Sequence, residues 1–185
     1  MAAIIVENLA QIIVLAALLW ASVTDLRQRV IPNACVTAVV AAFMLRALAA
    51  PGTQAVPHCL AVGFAHACLI FSLLLLSVAF MGRLGIEDGI GAGDLKLFSA
   101  LATTTTLMGS LLLIGLSCAL ALAAKAVAGA ATLARRRAVS WGGAKTVALR
   151  WGPSTATSPA AEGIPMAPAI AVSWVVVQIL SAMGL

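Results

Sequence analysis

Six apolar runs, separated by polar breaks, set the pattern of this chain. The first covers about Leu9 to Val23 and closes on Asp25, Arg27 and Arg29. Pro32 and Asn33 punctuate the chain before a second run, Ala34 to Ala50, which Pro51 and Gly52 end. The third runs from about Cys59 to Met81. A polar, glycine-rich stretch, Gly82 to Asp94, precedes a shorter fourth run, Leu95 to Met108. A turn is expected near Gly109 and Ser110, followed by a fifth run, Leu111 to about Leu133. A long basic loop, Ala134 to Gly163, leads to the sixth run, Ile164 to Leu185. A helix that spans a bilayer needs about 20 apolar residues, so six spans use about 120 residues and leave about 65 for loops. The pattern therefore predicts an all-α polytopic membrane protein with six transmembrane helices, formed as one membrane-embedded domain over residues 1–185. The first run resembles a secretory signal, but a signal needs a basic segment ahead of it. Here the charged side chain ahead of it is Glu7, so it reads as a retained span. The two halves share no broken-helix pattern of the kind found in many transporters.

Composition sharpens this picture. Of the 185 residues, 63% are hydrophobic and 9% charged, with a mean hydropathy of +1.11. Soluble domains carry about 45–50% apolar and about 25% charged residues. A soluble enzyme, a disordered chain and a conventional nucleic-acid binder are thereby excluded. The charged residues are 11 Lys or Arg and 6 Asp or Glu. Basic residues in short loops mark the cytoplasmic side. With the N-terminus outside, the inner loops hold Arg27 and Arg29, then Arg83 and Lys96, then Arg135, Arg136, Arg137, Lys145 and Arg150. Arg46 falls at the outer side, and Lys125 sits in the fifth run, where its stem can snorkel inward. Both termini are therefore expected on the outer side. The basic loop 134–163 is expected in the cytoplasm, where it interleaves its charges with Trp141, Val147, Leu149 and Trp151. It fits either an interfacial segment on an anionic leaflet or a simple marker of topology.

Cys35, Cys59, Cys68 and Cys118 contain no close pair, so they read as small apolar residues in helices. His58 and His66 are eight apart, a spacing that does not place them neatly on one helical face. Neither set predicts a metal or a cofactor.

The acidic residues carry the candidate chemistry. Glu7 lies near the outer terminus and Glu162 in the last inner loop. Glu87 and Asp88 fall in the polar stretch before the fourth run. Asp25 ends the first run and Asp94 opens the fourth, which puts both at one depth on the inner side. An ionisable residue at span depth is costly and is a functional candidate for that reason. A structural account also exists: Asp94 fits a helix cap, and Asp25 fits a partner for Arg27 or Arg29. The run Gly91-Ala92-Gly93-Asp94 tips the balance, because two glycines weaken a helix start while allowing another backbone to come close. Two carboxylates within hydrogen-bonding reach share a proton. One then serves as general base for water and the other as general acid for a scissile carbonyl, without a metal.

Two separated motifs resemble those of the aspartic prepilin peptidases, the type IV leader peptidase family of bacterial inner membranes. Asp25-Leu26-Arg27-Gln28-Arg29-Val30-Ile31-Pro32-Asn33 is similar to the family's D-x-R-x-x-x-I-P-N segment, and Gly91-Ala92-Gly93-Asp94-Leu95-Lys96-Leu97 to its GxGD-x-K-L segment. Ile164-Pro165-Met166-Ala167-Pro168-Ala169 is a weaker third match. With the span count, the resemblance covers nearly the whole chain.

The resemblance implies Asp25 and Asp94 as the catalytic pair, with Gly91, Gly93, Lys96, Arg27, Pro32 and Asn33 as supporting motif residues. It implies cleavage, at the cytoplasmic face, of a short basic leader from pilin precursors with a hydrophobic N-terminal helix. Larger members add a methyltransferase activity and a domain with paired cysteines. Their absence here resembles the short TadV or CpaA type, which serves tight-adherence (Flp) pili. Glu87 and Asp88 then read either as a receptor for the basic leader or as a solvated loop. The expected partners are the pilin precursor and the bilayer, with no nucleic acid; the oligomeric state stays open. Two rivals stand beside this reading: a small proton- or ion-coupled transporter using the same aspartates, and a non-catalytic assembly subunit of a secretion system.

Overall fold

The computed structural model describes residues 2–50, 55–83, 91–141 and 166–184. Six helices follow one another: α1 (Ala2–Gln28), α2 (Asn33–Leu48), α3 (Ala55–Arg83), α4 (Ala92–Ala102), α5 (Leu107–Trp141) and α6 (Ala167–Ala182). No strand occurs among the described residues. The order is the one the apolar runs predict. Three helices are long and apolar enough to cross a membrane, at Ala3–Gln28, Ala55–Phe80 and Leu107–Ala131. α2 and α6 are shorter apolar helices of 16 residues each. α4 has 11 residues, about half of what a bilayer's hydrocarbon requires.

α4 is central. It lies against α2, α3 and α5, while α1 packs on α2 and α6. Leu95, Leu97, Phe98 and Leu101 of α4 are buried, and they join Leu18, Val39, Ile70, Leu113 and Ile170 in one core. The outer surface stays apolar: Leu76 is 67% exposed and Val127 70%. Exposed apolar area on this scale fits lipid rather than water. Buried hydroxyls meet their needs inside their own helices. Ser22 donates to Leu18 O at 2.7 Å, Ser117 to Leu113 O at 2.6 Å and Ser173 to Ala169 O at 2.7 Å.

Two boundaries differ from the sequence pattern. The turn between α4 and α5 falls at residues 103–106, and Gly109 and Ser110 lie within the first turns of α5. Four consecutive threonines cause this. Thr103 donates to Ala100 O at 2.6 Å and Thr104 to Leu101 O at 2.8 Å, bonds that compete with helix continuation. Thr106 then caps α5, accepting from the Gly109 N–H at 3.1 Å. At its other end α5 runs to Trp141, eight residues into the segment 134–163 expected as loop. Ala, Leu and Arg are good helix formers, and the first strong breakers are Gly142 and Gly143. The rest of that segment, 142–163, lies outside the described residues.

Candidate active site

The site begins with the way α1 stops. Arg29 takes the left-handed conformation, with φ 54°, and its N–H reaches Asp25 O at 3.0 Å. Such a residue turns the chain sharply after a helix. Pro32 follows in extended conformation, φ −63° and ψ 137°, and α2 starts at Asn33. The turn points the end of α1 and the start of α2 at the same region. Gly91 opens α4 there, also extended at φ −64° and ψ 148°.

Gly93 brings the two motifs together. A Cβ on it would stand 3.2 Å from Ile31 Cβ. The glycine lets the start of α4 lie directly on the α1–α2 turn. Behind this contact is a cavity of about 270 Å³, lined by Asp25, Arg29, Ile31, Asn33, Gly91, Gly93, Asp94 and Lys96 among others. Residues far apart in sequence thus share one wall. Of the other motif residues, Arg27 is exposed and Pro32 serves as the residue preceding α2. Glu87 and Asp88 lie outside the described residues.

Asp25 is buried, with 7% of its surface exposed. It sits in the last turn of α1, where the helix dipole disfavours a carboxylate. A different helix compensates. Ala167 N–H, at the start of α6, donates to Asp25 Oδ2 at 2.9 Å. A helix N-terminus is well suited to a carboxylate, because its first N–H groups have no partner within the helix. This contact spans 142 residues. It gives the Met166–Ala169 part of the third motif a physical role, while Ile164 and Pro165 lie outside the described residues. Replacing the Ala167 amide by an ester, with lactate incorporated at that position, removes the N–H and keeps the shape. The expected cost is about 1–3 kcal/mol, read as a lower thermal midpoint in detergent. An unchanged midpoint would show that the bond does not hold α6 to α1.

Asp94 is the third residue of α4. Its carboxylate folds back over Gly91; the residue at the cap position of α4 is Gly91 itself, and Asp94 sits inside the first turn rather than at the cap. It stands ahead of the apolar run 95–108 and outside the three long apolar helices. Burial pushes its carboxyl up, to about 6; the charge of Asp25 adds to the rise, and a backbone hydrogen bond from Gly91 opposes it. The carboxyl carbon resonance of Asp94 is accordingly expected to titrate near 6 rather than at the ordinary 3.8. In Asp25→Asn a negative neighbour is gone, so the midpoint should fall. It should stay above 3.8, because burial is the larger cause and remains. A midpoint that does not fall would show that the two carboxylates do not sense each other.

No group of three or more His, Cys, Asp or Glu side chains that could hold a metal occurs among the described residues. What the arrangement offers is one carboxyl fixed by a backbone N–H and a second whose burial raises its pKa. Two carboxyl groups thus line one cavity at one end of an apolar helical bundle. The type IV leader peptidase family model matches residues 12–126, more than half of the chain, and the chain belongs to that family. The family places it among peptidases that process prepilins. No curated protein and no solved structure matches it. The matched region holds both aspartate motifs and stops before α6. The Ala167 contact therefore comes from the structure alone, since a backbone N–H leaves no mark in a sequence.

Proposed function

We propose that this chain is an aspartic endopeptidase that removes the short basic leader from Flp-type prepilins at the cytoplasmic face of the inner membrane. Asp25 and Asp94 are the catalytic pair. The observation that carries this reading is the one cavity that both Asp25 and Asp94 line, beside the Gly93–Ile31 contact. The two carboxylates share one proton, which belongs to the pair. The protonated member polarises the scissile carbonyl while the other takes a proton from water. The hydroxide adds to the carbonyl carbon, the leaving nitrogen is protonated and the C–N bond breaks. Asn33 and Lys96 line the same cavity, and their role is to hydrogen-bond the substrate backbone there. Glu87 and Asp88 attract the basic leader, and Arg27 and Pro32 hold the first motif in place. Residues 1–185 act as one membrane-embedded peptidase unit.

Six crossings with both termini outside complete the proposal. Arg27, Arg29, Arg83 and Lys96 sit at helix ends on the aspartate side, as cytoplasmic basic residues should. A transporter using the same aspartates is less well supported. The core beyond the aspartates is filled by fully buried leucine and valine side chains, Leu18, Val39, Leu97 and Leu101 among them. The test is incubation of the purified full chain in lipid nanodiscs with a pilin precursor. Mass spectrometry of the new N-terminus should show a single cut next to the hydrophobic helix. An intact precursor, with ion flux in liposomes that needs the aspartates, would favour the transporter.

A further inference from the structure

A second cavity, of about 480 Å³, lies at the end of the bundle opposite the aspartates. It is bounded by the start of α1, the end of α2, the start of α3 and the threonine turn between α4 and α5. The proposed peptidase chemistry makes no use of it. Its walls are mixed. Val6, Phe43 and Val62 supply apolar surface, while Glu7, Arg46 and His58 supply polar groups. His66 lines it too, so residues 58 and 66 share one wall despite their eight-residue spacing. Two full turns of α3 drift by about 80° over that distance, and the cavity is wide enough to meet both.

Two charges define what would fit. Arg46 Nη2 stands 3.1 Å from Glu7 Oε1, and their side chains remain 46% and 38% exposed. Arg46 Nη1 donates to Thr104 O at 3.3 Å, which fixes the guanidinium against the turn. A guanidinium has five N–H donors, so donors remain for a ligand. Glu7 precedes the first apolar run by two residues, Arg46 falls near the end of the second, and His58 directly precedes the third. All three therefore stand near the ends of apolar runs at one end of the bundle, where lipid headgroups would meet it.

We propose that this cavity binds a phospholipid with a phosphoethanolamine headgroup, its phosphate on Arg46 and its primary ammonium on Glu7. A cation and an anion side by side match a zwitterion. A phosphatidylglycerol headgroup can place its phosphate on Arg46 but has no cation to pair with Glu7. A choline headgroup carries no N–H to donate to the carboxylate. The apolar walls take the start of the acyl chains. The same headgroup chemistry exists in soluble phosphoethanolamine, so the test must separate the two.

The full chain is purified from nanodiscs containing equal phosphatidylethanolamine, phosphatidylcholine and phosphatidylglycerol, and retained lipid is counted by native mass spectrometry. Phosphatidylethanolamine should be enriched about tenfold, a difference of about 1.4 kcal/mol. Arg46→Gln should abolish the enrichment. Glu7→Gln should erase the preference over phosphatidylcholine and raise retention of phosphatidylglycerol, a change of selectivity that misfolding would not produce. An ion pair this exposed contributes little to folding, so both variants should stay folded. Equal retention of the three lipids by the unaltered chain, or enrichment that survives both substitutions, would overturn the proposal. Displacement of lipid by soluble phosphoethanolamine at micromolar concentration would overturn the assignment to a lipid.

Discussion

Asp25→Asn and Asp94→Asn are each expected to lower cleavage of a pilin precursor by about 10³-fold or more, the scale on which a lost acid–base group acts. Asn keeps the shape of Asp and cannot exchange a proton near neutral pH. Both variants should fold. In Asp25→Asn the new amide oxygen can still accept from Ala167 N–H, and in Asp94→Asn it can still accept from Gly91. The thermal midpoint and the elution volume should therefore change little while turnover collapses. The double variant should be hardly worse than either single one, because the two groups act as a unit and their losses do not add. Cleavage within tenfold of the unaltered chain in either single variant would remove that aspartate from the chemistry.

Much of this arrangement can be read from the residues. The six apolar runs become six helices in the same order. Asp25 and Asp94, which the runs place at one depth, do line one cavity. The misses have physical causes. Gly109 and Ser110 are weaker breakers than four threonines whose hydroxyls bond back to their own helix. The triple arginine ends the apolar run but not the helix, since polarity and helix propensity are separate properties. The two histidines keep the rotation that their spacing implies, and a wide cavity wall meets both. Ala167 matters through its N–H, which every residue but proline carries, so nothing in the side-chain pattern could single it out. The contact of Ile31 with Gly93 had a faint signal: both stand in the two motifs, and a glycine at a helix start suggests close approach.

That contact yields the second large effect. In Gly93→Leu the new Cβ meets Ile31 Cβ at 3.2 Å, and the rest of the side chain must push further into the same space. Ile31 stands in the short connection that fixes the entry into α2, so the strain acts on the turn carrying Arg29 and Asn33. The start of α4 and the end of α1 should then separate, taking Asp94 away from Asp25. A displacement of about 1 Å at reacting groups can cost about 100-fold in rate, and a loss of that size is expected here. Gly93→Ala should lose less, because a shift of a few tenths of an ångström relieves it. The decisive variant is the pair Gly93→Leu with Ile31→Ala. Ile31→Ala keeps the Cβ contact but removes the Cγ1 and Cδ1 behind it, where the rest of the leucine must go, so the double variant should recover part of the lost cleavage, although each substitution alone lowers it. Losses that simply add would mean that the two motifs do not press on each other, and that Gly93 serves the site in some way other than close approach.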